Sequence, residues 1–417
     1  MVKLSKYSFG IGDRFGNQGE AQLKAIIDAG KNGVEITPVW NKSNREHLLT
    51  GTHPEDVRNE ADLVTEDAGF TKPYFVDADH INSDTVDRFI GSSDFFTIDV
   101  ASYIGTKAGN DEISDFISGA EKYCGEVRIP GMEKSLRIDM GIVRGIAEKY
   151  LFAIQKAGEI YRIIEKSKGK ENFVTEVSMD EVLQPQSATD LFLILKMIAG
   201  LNIPVQTIAP KFSGKFCKGI DYIGNPIMFS DEFERDIMII EFSAREFGLP
   251  ENLKISIHSG SDKFSIYPVI GSVIRKRHKG IHIKTAGTTW LEEMIGLTES
   301  GGRSLDFVKE LYFKSLDQAD ELCAPYSDVI DIKISRLPSK AEVAGWNGKK
   351  FADALRHDES NKDYNPDLRQ MIHVAYKLAA QNREEFFDLT AKHREAISEC
   401  VYGNIYRRHI CRIFDIK

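Results

Sequence analysis

The chain of 417 residues is long enough for one large domain or for two or three of average size. Its composition, with 42% hydrophobic and 28% charged residues, is that of a folded globular protein and excludes extensive disorder. The formal net charge of -9 argues against nucleic acid or an anionic membrane as the main partner, because both require a dominant basic surface.

The five cysteines are scattered without a CxxC pair, which indicates free thiols in a reducing compartment. The first residues lack the apolar stretch of a signal peptide, and no apolar run is long enough to span a membrane. We therefore expect a cytoplasmic protein without a membrane segment, whose partner is a small molecule. The sequence leaves open whether the chain forms a homo-oligomer.

Eight short apolar or alternating segments recur along the chain, and most are followed by a helical pattern. They cover residues 7–12, 33–39, 73–78, 95–100, 172–178, 203–209, 253–258 and 280–285. The main helical patterns cover residues 18–29, 54–68, 139–167, 187–200, 230–247, 304–325, 366–381 and 383–412. Eight strands separated by helices predict an α/β fold, a parallel (β/α)8 TIM barrel.

Two regions of the sequence are additional to the eight strand-helix units of a simple barrel. The stretch from 101 to 171 is too long for one crossover helix, so residues 106–138 are predicted to form an insertion on the loop face after the fourth strand. Helical patterns also continue beyond the eighth strand. The predicted organisation is a barrel of residues 1–303 and a C-terminal helical extension of residues 304–417 that packs on it.

In such a barrel the active site lies at the C-terminal ends of the strands, so polar residues there are the candidates. They are Asp13, Glu35, Asp77, Asp79, His80, Asp99, Glu176, Asp180, Gln206, Lys211, His258, Asp262, Lys263, His282 and Lys284. Three of these strand-end residues are histidines. Neutral imidazoles bind zinc, manganese, cobalt or nickel while leaving positions open for substrate, so the pattern predicts a divalent metal centre.

Strand alternation predicts which side chains face the barrel interior. In LKISIH it turns His258 inward, and in GIHIKT it turns His282 and Lys284 inward. Glu176 also points inward, where a charged group needs a partner such as a metal or a lysine. A single buried histidine is more commonly a hydrogen-bonded core residue than a ligand, but the coincidence of three histidines with a glutamate favours the metal centre.

Asp79 and His80 are sequence neighbours in DADH, so a regular strand would turn them in opposite directions. Both reach one site only if the strand has ended before them. Lys211, Lys263 and Lys284 are candidates for binding a carboxylate or hydroxyl of the substrate, and the alternative for each is a solvated surface charge. Lys284 is the strongest candidate because it points inward.

At these residues the chain resembles the tagaturonate/fructuronate epimerase family, metal-dependent sugar epimerases that include members acting on tagatose and fructose. The matching segments are SFGIGDRFG (8–16), DADH (77–80), FFTIDV (95–100), FVTEVSMDE (173–181), KGIDY (218–222), SIHSGSDKFSIYP (256–268) and IHIKTAGTTW (281–290). The resemblance implies an isomerase in which Asp79 accepts a proton and Glu176 donates one. It also implies a divalent metal held by His80 and His258.

Asp221 in KGIDY and His282 in IHIKTAG are the two alternatives for the third metal ligand, and strand alternation favours His282. Lys211 stands where the family pattern has arginine, and this departure bears on which acid group the substrate carries. The implied substrates are the keto-uronates D-tagaturonate and D-fructuronate, or the neutral ketohexoses tagatose and fructose.

The two uronates differ at the carbinol carbon beta to the ketone, whose C–H is not acidified by direct enolisation. One route is retro-aldol cleavage, rotation and re-addition, with a metal stabilising the enediolate and Asp79 and Glu176 exchanging the hydroxyl proton. Another is transient oxidation, which needs a nicotinamide, and no GxGxxG follows a strand here. The sequence leaves the route open. The alternatives are a metal-dependent aldose–ketose isomerase or aldolase on the same fold, and a non-catalytic sugar-binding barrel. Metal content would separate the last of these from the enzymes.

Overall fold

The computed structural model describes residues 2–417 and, within them, every side chain except that of Ala286. Its strands are β1 (Tyr7–Ile11), β2 (Ile36–Ser43), β3 (Phe75–Ile81), β4 (Phe95–Asp99), β5 (Gly125–Val127), β6 (Leu136–Ile138), β7 (Val174–Ser178), β8 (Thr207–Ala209), β9 (Lys254–His258) and β10 (Ile281–Lys284). Eight of them close a parallel barrel in the order β1-β10-β9-β8-β7-β4-β3-β2, and β5 and β6 form a separate hairpin. The predicted TIM barrel is confirmed, because each predicted strand overlaps one barrel strand.

Helices surround the barrel. Up to and just after the last strand they are α1 (Gly19–Lys31), α2 (Asn44–Thr50), α3 (Pro54–Asp67), α4 (Val86–Phe89), α5 (Asn110–Ala120), α6 (Met140–Lys168), α7 (Ala188–Gly200), α8 (Pro226–Phe247), α9 (Tyr267–Arg277) and α10 (Thr289–Ser300). Later come α11 (Gly302–Asp317), α12 (Ala319–Cys323), α13 (Lys340–Ala344), α14 (Gly348–Leu355), α15 (Pro366–Val374), α16 (Tyr376–Gln381), α17 (Arg383–Lys392), α18 (Arg394–Tyr402), a π-helical segment (Gly403–Ile410) and α19 (Cys411–Phe414). Short 3-10 segments are Ala101–Tyr103, Glu121–Tyr123, Ala286–Thr288, Ala324–Val329 and Ile334–Arg336.

Local sequence explains where several helices begin. Ser43 and Glu46 form a capping box at the start of α2, each satisfying a backbone N–H that the first turn leaves free. At the start of α8 the Asn225 side chain accepts from the amides of Ile227 and Met228, and Pro226 follows at the first helical position, where a missing N–H does no harm. These starts lie at or near the mouth of the barrel, so they also position the loops that carry polar side chains.

Apolar residues pack on both sides of the strand wall. The outward-facing isoleucines of β9 and β10 belong to the large cluster between strands and helices. Leu4, Val39, Phe75, Phe95 and Val174 form a smaller cluster that closes the N-terminal end of the barrel. The barrel is therefore a filled core, and the polar candidates described below lie mainly towards the C-terminal ends of its strands.

The predicted insertion contains α5 and the β5–β6 hairpin. Tyr123 packs between Phe192 of α7 and Phe247 of α8, with ring centroids 5.3 Å and 5.7 Å away, and its hydroxyl donates to Glu246 at 2.7 Å. This part of the insertion lies against the outer helices, whereas the sequence placed the insertion on the loop face.

After β10, α18 packs against α10 and α1, and α14 packs against α10. The boundary drawn at residue 303 stays a prediction. All five cysteines are free. Among the described residues, no helix is both long enough and apolar enough to cross a lipid bilayer.

Two strand-end candidates lie away from the mouth. Glu35 is exposed, comes just before β2 and forms an ion pair with Lys72. Gln206 precedes β8, accepts from the Leu4 amide at 2.8 Å and from Asn252 at 2.6 Å, and so lies at the N-terminal end of the barrel. Both assignments were wrong because an apolar pattern locates a strand more reliably than its ends.

Candidate active site

A bulge in β3 brings two neighbouring side chains to the same site. The ladder between β3 and β4 shifts register between Ala78 and Ile81, and His80 has a left-handed φ of 52°. A bulge re-aims a side chain that regular alternation would turn away. The strand therefore does not end before Asp79, as the sequence suggested, but continues to Ile81. The left-handed backbone conformation of His80 is uncommon for a residue other than glycine, and such conformations concentrate at functional sites.

Two histidines and an aspartate form a candidate metal site. One ligand atom each from His80, Asp180 and His258 lies within 4.8 Å of the others. The two imidazole rings are nearly perpendicular, with centroids 5.0 Å apart. Nδ1 of His258 is buried, lies 3.1 Å from Asp180 Oδ1, and has no aligned hydrogen bond among the described residues. Two imidazoles and a carboxylate with a free buried nitrogen fit a divalent transition metal.

Asp99 orients His80 within this triad. Its Oδ2 lies 3.0 Å from His80 Nδ1, a carboxylate–histidine contact of the kind that holds metal-binding imidazoles in place. With Nδ1 engaged in this way, Nε2 of the ring is left for a ligand. Asp99 ends β4, the strand next to β3, so the contact follows directly from the barrel order.

His282 lies below this triad. The register of β10 with β9 sets it opposite Ser256, one inward layer deeper than His258. Its side chain is fully buried, and Nδ1 contacts the Ser8 hydroxyl at 3.0 Å. Alternation predicted the inward direction of His282 but carries no information about its depth relative to other strands.

Asp221, the other alternative for the third ligand, also lies elsewhere. It accepts from the backbone amide of Ser265 at 3.0 Å and from the Ser265 hydroxyl at 2.9 Å. Its carboxylate groups with His357 and Glu359 instead. The structure therefore places Asp180, and neither Asp221 nor His282, beside the two histidines of the triad.

The Lys284 ammonium lies among three carboxylates. Nζ is 2.7 Å from Asp77 Oδ2, 2.9 Å from Asp79 Oδ1 and 3.2 Å from Glu176 Oε1, and it also donates to the Thr97 hydroxyl. Lysine offers three donors, and all are engaged here. Lys284 therefore lies in the candidate site beside Asp79 and Glu176, but its ammonium is already surrounded by acceptors of this chain.

These contacts set the charge of the carboxylates. Burial raises the pKa of Asp79, but Lys284 and the two neighbouring histidines outweigh it and lower the pKa to about 2. Burial likewise opposes ionisation of Glu176, and Lys284 with an adjacent histidine brings its pKa well below the usual value. For Asp77 burial dominates, and the pKa rises to about 7 despite the ammonium. Asp79 and Glu176 are therefore both ionised at neutral pH.

His258 joins the carboxylate group to the triad. Its Nε2 hydrogen-bonds Glu176 Oε1 at 2.7 Å, while Nδ1 faces Asp180. Burial lowers the pKa of this imidazole, but the two carboxylates outweigh burial and raise it to about 9. The pKa of His80 is also raised, because Asp79 and other carboxylates outweigh burial. The carboxylates around His80 and His258 favour positive charge at this position. Protonated imidazoles supply that charge in the free protein, and a bound metal cation would supply it in their place.

Lys263 is fully buried and donates hydrogen bonds to two loops. Its ammonium donates to the carbonyls of Cys217 at 3.0 Å and Ile220 at 2.8 Å, and to the Ser261 hydroxyl at 2.9 Å. Burial lowers its pKa to about 7. These bonds join the segment after β8 to the loop after β9, so the group is not available to a substrate carboxylate.

Lys211 follows β8 and is partly buried. Its backbone amide donates to Gln186 Oε1 at 2.7 Å, and no carboxylate among the described residues lies within 4.0 Å of its ammonium. It remains a candidate for substrate binding.

Asp262 belongs to a separate buried network. Its Oδ2 accepts from Arg369 at 2.9 Å and contacts His357 Nδ1 at 3.1 Å, and its Oδ1 contacts His409 Nε2 at 2.9 Å. The partners come from the C-terminal helices and the segments between them, whereas Asp262 lies four residues after His258. The network therefore ties the loop that carries a candidate metal ligand to the C-terminal part of the chain.

Some residues of the site were not assigned by the sequence. Asp77, Asp99 and Asp180 stood among the strand-end residues, but nothing in the strand pattern gave them a partner. Other polar side chains reach the mouth from loops and from the C-terminal part, where no periodic pattern exists to find them. They include Arg14, Arg45, Glu46, Lys218 and Tyr326.

Comparison with known proteins agrees with the resemblance seen in the sequence. The family model for tagaturonate epimerase matches residues 1–413. A curated tagaturonate/fructuronate epimerase of Thermotoga maritima is 29% identical over 414 residues, which cover 93% of this chain and 79% of that protein.

Two crystal structures of a fructuronate-tagaturonate epimerase from Cohnella laeviribosi show the same fold. The native structure matches with a TM-score of 0.80 and 25% identity, and a glycerol complex with a TM-score of 0.81 and 24% identity. Each match covers 100% of this chain and 82% of the other. The likeness therefore includes the helices after β10 as well as the barrel.

Proposed function

We propose that this chain, which belongs to the tagaturonate epimerase family, interconverts D-tagaturonate and D-fructuronate with a divalent metal held by His80, Asp180 and His258. The observation that carries the metal proposal is the convergence of the three ligand atoms within 4.8 Å, with the buried Nδ1 of His258 3.1 Å from Asp180 Oδ1. A divalent cation bound there supplies Lewis-acid stabilisation of negative charge on the keto and hydroxyl oxygens of the substrate.

The two uronates differ in configuration at C4, two carbons from the ketone at C2. Removal of the C4 hydroxyl proton by a carboxylate allows the C3–C4 bond to break. Its electron pair then forms an enediolate over C3 and C2, and C4 becomes an aldehyde. Rotation of the aldehyde presents its other face, the bond forms again, and the proton returns to the C4 oxygen. The sequence of steps needs no oxidant, and all atoms are recovered in the epimer.

Asp79 and Glu176 are the groups suited to exchange that proton. They contact the same ammonium, 2.9 Å and 3.2 Å from Lys284 Nζ, and both are ionised at neutral pH. We assign Lys284 the task of holding the two carboxylates charged and in place, because its donors are already used by this chain. A base in reach of the hydroxyl and a second group to return the proton are what the reaction requires.

The test uses full-length protein that has been treated with EDTA and then given zinc, manganese, cobalt or nickel one at a time. Incubation with D-fructuronate should yield D-tagaturonate, and tagatose and fructose assayed beside it decide whether neutral ketohexoses react. Failure of interconversion with all four metals would contradict the function. An aldose product would point to an isomerase, and free three-carbon fragments to an aldolase.

The route is tested by running the reaction in D2O. Bond cleavage keeps the hydrogen on C4, so the product should carry no deuterium there. Direct proton abstraction would place deuterium at C4, as NMR or mass spectrometry would detect. Deuterium at that carbon would exclude the retro-aldol step while leaving the epimerase activity standing.

A further inference from the structure

Two cations at the mouth of the barrel share one aromatic ring. The guanidinium carbon of Arg45 lies 4.7 Å from the centre of the Tyr326 ring, and Nζ of Lys218 lies 5.9 Å from it. Arg45 donates to the Pro325 carbonyl at 3.4 Å, but no described carboxylate oxygen lies within 4.0 Å of either cation. Two like charges are thus held together without an opposite charge from this chain.

The segments that carry these cations are firmly placed. The amide of Lys218 donates at 2.7 Å to the carbonyl of Val329, the last residue of the 3-10 segment that contains Tyr326. The hydroxyls of Tyr326 and Tyr376 lie 2.7 Å apart, and both rings are buried. Arg45 is in the first turn of α2, whose start is fixed by the capping box. The segments that carry both cations are therefore held in place, with Arg45 itself exposed and Lys218 partly buried.

Glu46, the neighbour of Arg45 in the chain, is engaged by other groups. The charge of Glu46 contributes to the pKa shifts of Arg45 and Lys218, but its Oε1 lies 3.3 Å from Arg14 Nε. Its Oε2 accepts from the Ser43 amide at 3.2 Å in the capping box. Burial and the neighbouring Arg45 lower the pKa of the Lys218 ammonium, as expected for a cation that lacks a counterion. Both oxygens of Glu46 are therefore engaged by groups other than Arg45 and Lys218.

These cations lie next to the candidate active site. Glu46 acts on the charge of Lys218 and is itself influenced by Asp79. Glu181 acts on Arg45 and Lys218, and it also has a carboxylate oxygen within 4.8 Å of a ligand atom of His80. The charges of Glu46 and Glu181 therefore act both on the cations and on residues of the candidate active site.

We propose that Arg45 and Lys218, positioned by Tyr326, bind the carboxylate of the keto-uronate while its ketone end lies towards His80 and His258. This inference rests on the proposed function and names the group that selects its substrate class. A guanidinium and an ammonium form charge-assisted hydrogen bonds with a carboxylate, and a neutral hydroxymethyl group gains much less from them. The contact would also retain the three-carbon aldehyde acid formed when C3–C4 breaks.

The test measures binding of two unreactive probes to the full-length protein by isothermal titration calorimetry. D-galactonate and galactitol differ only in a carboxylate in place of a hydroxymethyl group. The wild-type protein should bind galactonate about 10- to 100-fold more tightly than galactitol, the range of one hydrogen bond to a charged group. Lys218→Met and Arg45→Gln should each reduce that ratio about 10-fold, and Lys218→Arg should retain most of it.

Lys215→Met is the matched control, because this exposed lysine lies on the same segment and should keep the wild-type ratio. Lys211→Met tests one of the three lysines that the sequence offered for substrate binding. An unchanged ratio in both anchor variants, a wild-type protein that does not discriminate, or a loss confined to Lys211→Met would each overturn the proposal. Should Lys218→Met fail to fold by circular dichroism, the exposed Arg45 decides through Arg45→Gln.

Turnover of D-fructuronate by the wild-type protein is measured separately. A protein that discriminates between the probes but does not epimerise would refute the proposed function and leave the carboxylate site in place. Epimerisation with an unchanged probe ratio in the variants would do the reverse.

Discussion

Replacing Lys284 by methionine would remove the ammonium that lies among three buried carboxylates. Nζ is within 3.2 Å of Asp77, Asp79 and Glu176, whose side chains are at most 11% exposed. Methionine keeps an unbranched stem but provides neither charge nor donors. The three carboxylates would then repel one another in surroundings where burial already raises the pKa of Asp77 to about 7.

Removing one partner of a buried ion pair costs about 3–5 kcal/mol of unfolding free energy. Protonation limits this cost, because Asp79 and Glu176 would take up protons once Lys284 no longer lowers their pKa. Their pKa in the folded variant then lies above the value in the unfolded chain, so the penalty is small below about pH 4 and grows as pH rises. We expect a loss of about 3–5 kcal/mol near pH 8 and a clearly smaller loss near pH 5.

The assay is urea unfolding of the wild-type protein and the variant across that pH range. Lys276→Met is the matched control, because its exposed ammonium lies 2.7 Å from Glu234 and the same substitution should cost less than about 1 kcal/mol. A Lys284→Met variant that loses less than about 1 kcal/mol near pH 8, or whose loss does not shrink at lower pH, would refute the reasoning.

Three further outcomes follow from the site. His258→Ala should fold and lose bound metal together with activity, and full metal occupancy by elemental analysis would remove it from the ligand set. Asp79→Asn and Glu176→Gln should each lower turnover about 100-fold or more with metal retained, whereas near-normal turnover would exclude that residue from the proton exchange. Asp262→Asn leaves the buried Arg369 with the Glu292 carboxylate at 3.9 Å in place of Asp262 at 2.9 Å and should cost about 3 kcal/mol or more by urea unfolding, and a loss under about 1 kcal/mol would show that the network does not hold the loop.

The sequence by itself determined the barrel and the direction of side chains within each strand. Apolar segments separated by helices predicted all eight strands, since a parallel strand must bury both faces and its polar exceptions stand out. Alternation then turned Glu176, His258 and Lys284 inward, because the two-residue repeat is a property of the strand alone. The family resemblance rested on segments at those same strand ends.

Only the tertiary structure decided which of these residues meet. The register between strands is not written in any one strand, so His282 came one layer too deep and Asp180 took the place beside the histidines. The bulge at His80 broke the alternation on which the sequence argument depended. Whether a lysine ammonium contacts a carboxylate depends on which side chains the loops and the C-terminal helices place beside it. Lys284 is surrounded by carboxylates for that reason, while Lys218 faces the mouth without one.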